Sequence, residues 1–160
     1  MLKKIAKANS NEGRNGTYAI VAATYNREFT DALVQSAQNE LKDAKHLEII
    51  RVPGSFEIPA IASRLASMKT PKFDAIICFG VIFQGKTSHA QNISEAVSNA
   101  LAILQVQSRK PIIHGVLHFE NEKQARIRCF GVEHNRGIEA ARTAMKMVSV
   151  SRDLDVLEKL

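Results

Sequence analysis

The stretch FDAIICFGVIFQGKTSHAQNI, residues 73–93, decides the fold. Its apolar run from Phe73 to Val81 shows no in-out alternation, the pattern of a strand covered on both faces of a parallel sheet. The run carries on to Phe83, and the polar turn Gln84-Gly85-Lys86-Thr87-Ser88-His89 follows. Gly85 lets the backbone turn, Thr87 or Ser88 can cap a helix, and Ile93 and Val97 open a helical spacing. Buried strand, polar turn and amphipathic helix together make one βα unit.

Outward from this unit the same alternation recurs. Tyr18–Ala23, Leu47–Val52 and Ile112–Leu117 read as strands, and of these only the second keeps an in-out pattern. Phe29, Leu33 and Ala37 recur at helical spacing, as do Ile93, Val97, Ala100, Leu101 and Leu104, and then Ile138, Ala141, Met145 and Val148. Pro59–Met68 is a shorter helix with proline in its first turn, where the missing N–H costs nothing. Strand and helix alternating four times predict a flavodoxin-like, three-layer α/β/α sandwich around a four-stranded parallel sheet. One domain is expected over 17–160, preceded by a polar arm, 1–16, that holds Lys3, Lys4, Lys7 and Arg14.

The 160 residues suit one compact core, and 45% hydrophobic with 24% charged residues lie far from disordered compositions. A formal charge of +6 suggests anionic ligands. The basic residues are scattered, however, so a nucleic-acid track is not expected. The N-terminal stretch has no signal-peptide core and no run reaches membrane-spanning length, which points to a cytoplasmic protein without membrane contact. Cys78 sits inside an apolar strand, neither cysteine forms a Cys-x-x-Cys pair, and the five histidines lack zinc spacing with them, so no metal is expected.

Ligands of open parallel sheets bind beyond the carboxyl ends of the strands. After the first strand, Tyr25 can stack on a flat heterocycle or simply pack over the strand end, and Asn26 can bind a ligand or form a turn. After the second, Pro53-Gly54 delivers Ser55 and Glu57 to a helix start. There the Glu57 carboxylate either complements the dipole or accepts polyol hydroxyls. After the third, free N–H groups and Lys86 make a phosphate site, with the imidazole of His89 beside it for proton transfer near neutral pH. An ordinary strand-to-helix turn with a surface histidine is the plainer alternative. After the fourth, Arg128 binds phosphate or lies on a solvated helix face. His114 interrupts an apolar strand, as a core histidine with a backbone partner would.

Taken together these segments resemble the lumazine synthase family. Val52-Pro53-Gly54-Ser55-Phe56-Glu57-Ile58-Pro59 is close to the family's Val-Pro-Gly-Ala-Phe-Glu-Ile-Pro, and Gly80 to His89 is similar to its Gly, apolar, Arg-Gly-x-Thr-x-His pattern. Tyr25-Asn26, Pro111–Leu117, Gln124-Ala125, Arg128 and Asn135–Ala141 continue the correspondence. The resemblance implies a transferase of riboflavin biosynthesis, 6,7-dimethyl-8-ribityllumazine synthase. Such an enzyme condenses 5-amino-6-(D-ribitylamino)uracil with 3,4-dihydroxy-2-butanone 4-phosphate, releasing phosphate and water, without a cofactor. It also implies that Tyr25 stacks on the pyrimidine, that Ser55, Phe56 and Glu57 hold the ribityl chain, and that Val81, Ile82 and Phe83 line the pyrimidine pocket. Lys86, Thr87 and Arg128 would bind the phosphate, His89 would be the general acid/base, and His114 would reach the pocket of the adjacent subunit. Homo-oligomers follow from the same resemblance, as a pentamer or a sixty-subunit icosahedral capsid, with riboflavin synthase as an associated partner.

Several positions depart from the family pattern. Gln84 replaces the usual Arg, Lys86 a more common acidic or small residue, Ala90-Gln91-Asn92 an aromatic-Asp-aromatic run, His114 a Phe and His118-Phe119 a Thr-Thr. The departures keep open a homologue that binds a lumazine or flavin without making it. An FMN electron carrier is the other alternative, but it needs a phosphate loop after the first strand, where Thr24-Tyr25-Asn26-Arg27 has no glycine.

Overall fold

A computed structural model describes residues 13–159. Four parallel strands, β1 (Thr17–Ala23), β2 (His46–Val52), β3 (Ala75–Phe83) and β4 (Ile112–Phe119), form one sheet in the order β2-β1-β3-β4. The helices are α1 (Arg27–Glu40), α2 (Ile58–Ser67), α3 (His89–Ser108), α4 (Glu122–Phe130) and α5 (Arg136–Leu157), with a 3-10 turn at Ser55–Glu57 before α2. The expected flavodoxin-like sandwich is therefore present.

Alternation along the two central strands builds both cores at once. Tyr18, Ile20 and Ala22 of β1, with Ala75, Ile77 and Phe79 of β3, pack under α1, α4 and α5. The residues between them, including Ala19, Val21, Ile76 and Cys78, pack under α2 and α3. Because both faces are buried, these strands read as continuous apolar runs. β2 lies at an edge and keeps an alternating exposure, which is why its sequence alternates too.

One element differs from the expected succession of four helices. The segment after β4 forms a separate nine-residue helix, α4, capped by the Asn121 side chain, which accepts from the Gln124 N–H at 3.0 Å. Only Ala125 and Cys129 of α4 are buried, so the segment carries no apolar stripe for a periodicity to reveal. Buried Asn135 then ties three helices together. Its Oδ1 accepts from the Gly137 and Ile138 N–H groups of α5, while Nδ2 donates to Ser36 Oγ on α1 and the Cys129 carbonyl on α4. Of the N-terminal stretch 1–16, residues 1–12 and so Lys3, Lys4 and Lys7 lie outside the described residues. Gly13 and Gly16 are buried, and the Tyr18 hydroxyl donates to the Gly13 carbonyl.

Candidate functional site

The sheet order reverses direction between β1 and β3, and a cavity of about 520 Å³ opens there, beyond the strands' carboxyl ends. The turn after β1 is stitched to the loop after β2. Thr24 N–H donates to the Val52 carbonyl at 2.7 Å and Tyr25 N–H to the Pro53 carbonyl at 3.0 Å. Those two donors are consumed, as they would not be in a phosphate loop of the FMN-carrier kind. Asn26 takes a left-handed conformation, φ 55°, and its Nδ2 donates to the Val81 carbonyl at 2.7 Å. Tyr25 is left 72% exposed at the rim.

The loop after β2 supplies the second wall. Ser55 is buried at the start of the 3-10 turn, against Gly80 of β3. A Cβ on Gly80 would lie 2.4 Å from Ser55 Oγ, so glycine is required there by close approach. Phe56 is 61% exposed, a second aromatic rim group facing the same cavity as Tyr25. Glu57 is exposed, and its carboxylate has no hydrogen-bond or ion-pair partner among the described residues, which leaves it open to hydroxyls.

From β3, buried Val81 and half-buried Ile82 and Phe83 form the apolar lining, with Phe83 set edge-on to Phe29 at 5.3 Å. His89 opens α3 and lines the cavity together with Ala90 and Ile93. The first intrahelical hydrogen bond runs from Asn92 N–H to the Ser88 carbonyl, so the N–H groups ahead of it have no intrahelical partner. The expected capping is weak: Ser88 makes no side-chain cap bond, and Thr87 Oγ1 accepts from His89 N–H at 3.4 Å. Gly85 also differs from expectation. Its backbone is not left-handed and no atom lies within 4 Å of where a Cβ would stand, so the turn itself does not need a glycine.

The remaining site candidates do not meet this cavity within one chain. Lys86 and Thr87 are exposed on the loop but do not line it. Arg128 and His114 lie on a groove of about 720 Å³ along the edge strand β4, with His118, Arg136 and Glu139. That groove is the larger of the two, yet Tyr25, Phe56, Glu57 and His89 gather at the smaller one. Burial first, and then the neighbouring Arg136, lower the pKa of Arg128, while Glu139 opposes them. His114 is exposed rather than a core histidine with a backbone partner, because β4 is an edge strand. Its Nε2 sits 2.7 Å from Ser98 Oγ, whose proton goes to the Ser94 carbonyl at 2.7 Å, so the imidazole is the donor.

Gly54, Ala90 and Ile93 also line the cavity, and Asn26 bridges the turn after β1 to β3, roles that no motif in the sequence marks. Ala90 and Ile93 were open to detection, since they stand one and four residues beyond His89 on the first two turns of one helix. The bridge was not, because it depends on β1 and β3 being neighbours.

Fold and site together define an open α/β protein with a cavity at its topological switch point, lined by aromatic rings, a carboxylate and an imidazole. A family model described as 6,7-dimethyl-8-ribityllumazine synthase matches residues 15–152, and the chain belongs to that family. Membership makes it a transferase-type enzyme of riboflavin biosynthesis. Among the described residues no cluster of His, Cys, Asp or Glu is arranged to hold a metal ion, and no helix is long and apolar enough to cross a membrane.

Proposed function

We propose that the chain condenses 5-amino-6-(D-ribitylamino)uracil with 3,4-dihydroxy-2-butanone 4-phosphate to 6,7-dimethyl-8-ribityllumazine, releasing phosphate and water. The observation that carries this reading is the convergence of Tyr25, Phe56, Glu57, Val81–Phe83 and His89 on one cavity of a member of this family. The exposed Tyr25 ring suits stacking on the pyrimidine over the apolar lining from β3. The Ser55–Glu57 turn, with its unpaired carboxylate, suits the ribityl hydroxyls.

The chemistry follows from proton movements. An amine attacks the ketone to give an imine and a first water, phosphate leaves by elimination, and the second amine attacks the remaining carbonyl and closes the ring with loss of a second water. Each step moves a proton, and His89, donor and acceptor in turn, would contribute about 10²- to 10⁴-fold. Holding two substrates in register supplies much of the rest. No step changes oxidation state against an external partner, so no redox cofactor is required.

Lys86, Thr87 and the N–H groups opening α3 would take the ketone's phosphate, anchoring the substrate and stabilising the leaving anion. Arg128 and His114 face a different groove of the same subunit. In this reading they serve the cavity of a neighbouring copy, which makes a homo-oligomer the working form. Gel filtration separates a pentamer from a sixty-subunit shell, since sixty subunits against five is roughly twelve-fold in mass. To test the reaction, purified protein is mixed with both substrates while lumazine fluorescence and phosphate release are followed. Product no faster than the spontaneous background ends the proposal in favour of a binding homologue.

A further inference from the structure

We infer that Gln84 is a positioning residue for the anion end of the site, its carboxamide turning the peptides of the following loop so that their N–H groups face outward. This rests on the proposed reaction. Gln84 Nε2 donates to the Gly85 carbonyl at 2.9 Å and to the Thr87 carbonyl at 3.3 Å, and its backbone N–H donates to the Phe119 carbonyl of β4 at 2.8 Å. The base of the loop is thereby fixed to the sheet, and one NH₂ group with two protons meets two acceptors. The opposite amide orientation would set an oxygen against two carbonyl oxygens, so the network assigns the nitrogen.

In a planar trans peptide the carbonyl of one residue and the N–H of the next point to opposite sides. Carbonyls of Gly85 and Thr87 turned toward Gln84 therefore leave the N–H groups of Lys86 and Ser88 turned away from it. These are donors just ahead of α3, where an anion gains from the helix end. A Cβ at Gly85 would meet no atom within 4 Å beyond its chain neighbours. A neutral carboxamide adds no charge of its own. Its effect is to orient donors while Lys86 supplies the positive charge.

The test compares the full-length wild-type protein with Gln84→Met, which keeps length without donors, and Gln84→Arg, which restores them. Inorganic phosphate binding is measured by titration calorimetry, and KM is measured for each substrate separately. Gln84→Met is expected to weaken phosphate binding and raise KM for the butanone phosphate about 10-fold. KM for the ribitylaminouracil and the melting temperature should stay within about two-fold and about 2 °C, as effects confined to an exposed loop do. Gln84→Arg should recover most of the loss. Gln84→Ala serves as the second donorless variant if the methionine side chain disturbs folding. Unchanged phosphate affinity in the donorless variants, an equal rise of both KM values, or no phosphate binding by the wild type each overturn the inference. Phosphate binding is read without turnover, so a protein that binds phosphate through Gln84 but makes no lumazine would refute the proposed reaction and spare the positioning role.

Discussion

The Asn26 side chain donates to the main-chain carbonyl of Val81 at 2.7 Å, locking the turn after β1 to the end of β3 at the point where the sheet order reverses. Asn26 does this from a left-handed backbone conformation that asparagine tolerates better than most residues. Asn26→Ala should lose both the bond and the conformational fit, at about 1–3 kcal/mol in urea denaturation. Asn26→Gly keeps the conformation and should recover part of that. Equal losses in the two variants would show that backbone conformation contributes nothing.

His89 lines the cavity at the first residue of α3 and is exposed. His89→Ala should reduce kcat by about 10²-fold or more while leaving both KM values near wild type, the pattern of a lost proton donor. A matching loss of substrate affinity would argue for a binding role instead.

Gly80 and Gly85 stand five residues apart and should respond oppositely to alanine. At Gly80 the new Cβ would meet Ser55 Oγ at 2.4 Å and Ser55 Cβ at 3.2 Å, forcing the 3-10 turn outward. A cost of about 1–3 kcal/mol is expected, with a raised KM for the ribitylaminouracil. Gly85→Ala meets no neighbour and no left-handed backbone, so its stability should be unchanged or higher by up to about 1 kcal/mol. Any loss of activity in a fully stable Gly85→Ala protein then measures crowding of the approach to the loop.

Burial raises the thiols of Cys78 and Cys129 from 9.0 to about 12, and burial likewise raises the Tyr18 phenol from 10.0 to about 12. All three are protonated in the folded state at pH values where the unfolded chain has begun to lose its protons. Their contribution is therefore complete below pH 9 and is lost as pH rises toward 12, by up to about 1.4 kcal/mol per group for each pH unit. Denaturation curves between pH 8 and 11 should show stability falling from about pH 9. Replacing both cysteines with alanine should flatten the first part of the fall, and Tyr18→Phe the part above pH 10. A slope unchanged in all variants would contradict the assignment.

Much of this was legible in the chain itself, for reasons that differ from element to element. β1 and β3 were readable because burial on both faces leaves an unbroken apolar run, and the Pro53-Gly54 and Gln84–His89 turns because their residue types have few other uses. α4 was not, since two buried residues in nine make no period. Nor could spacing along the chain reveal that Arg128 and His114 stand apart from His89. That separation follows from the strand order, which sets β4 at the edge while the cavity opens between β1 and β3. Gly85 stands where a turn commonly needs glycine, yet its backbone is not left-handed and the space for a Cβ is empty, so the fold does not require it.

The placement of His89 in one hollow and Arg128 in another has a genetic consequence. A subunit carrying His89→Ala still offers an intact edge groove, and one carrying Arg128→Ala still offers an intact imidazole. Each variant alone would be nearly inactive. Co-expressed and randomly mixed in one oligomer, they should complement each other, with roughly one junction in four formed from two undamaged halves. Recovery of activity on mixing would make the working centre the property of a pair of chains, and its absence would return every reacting group to a single chain.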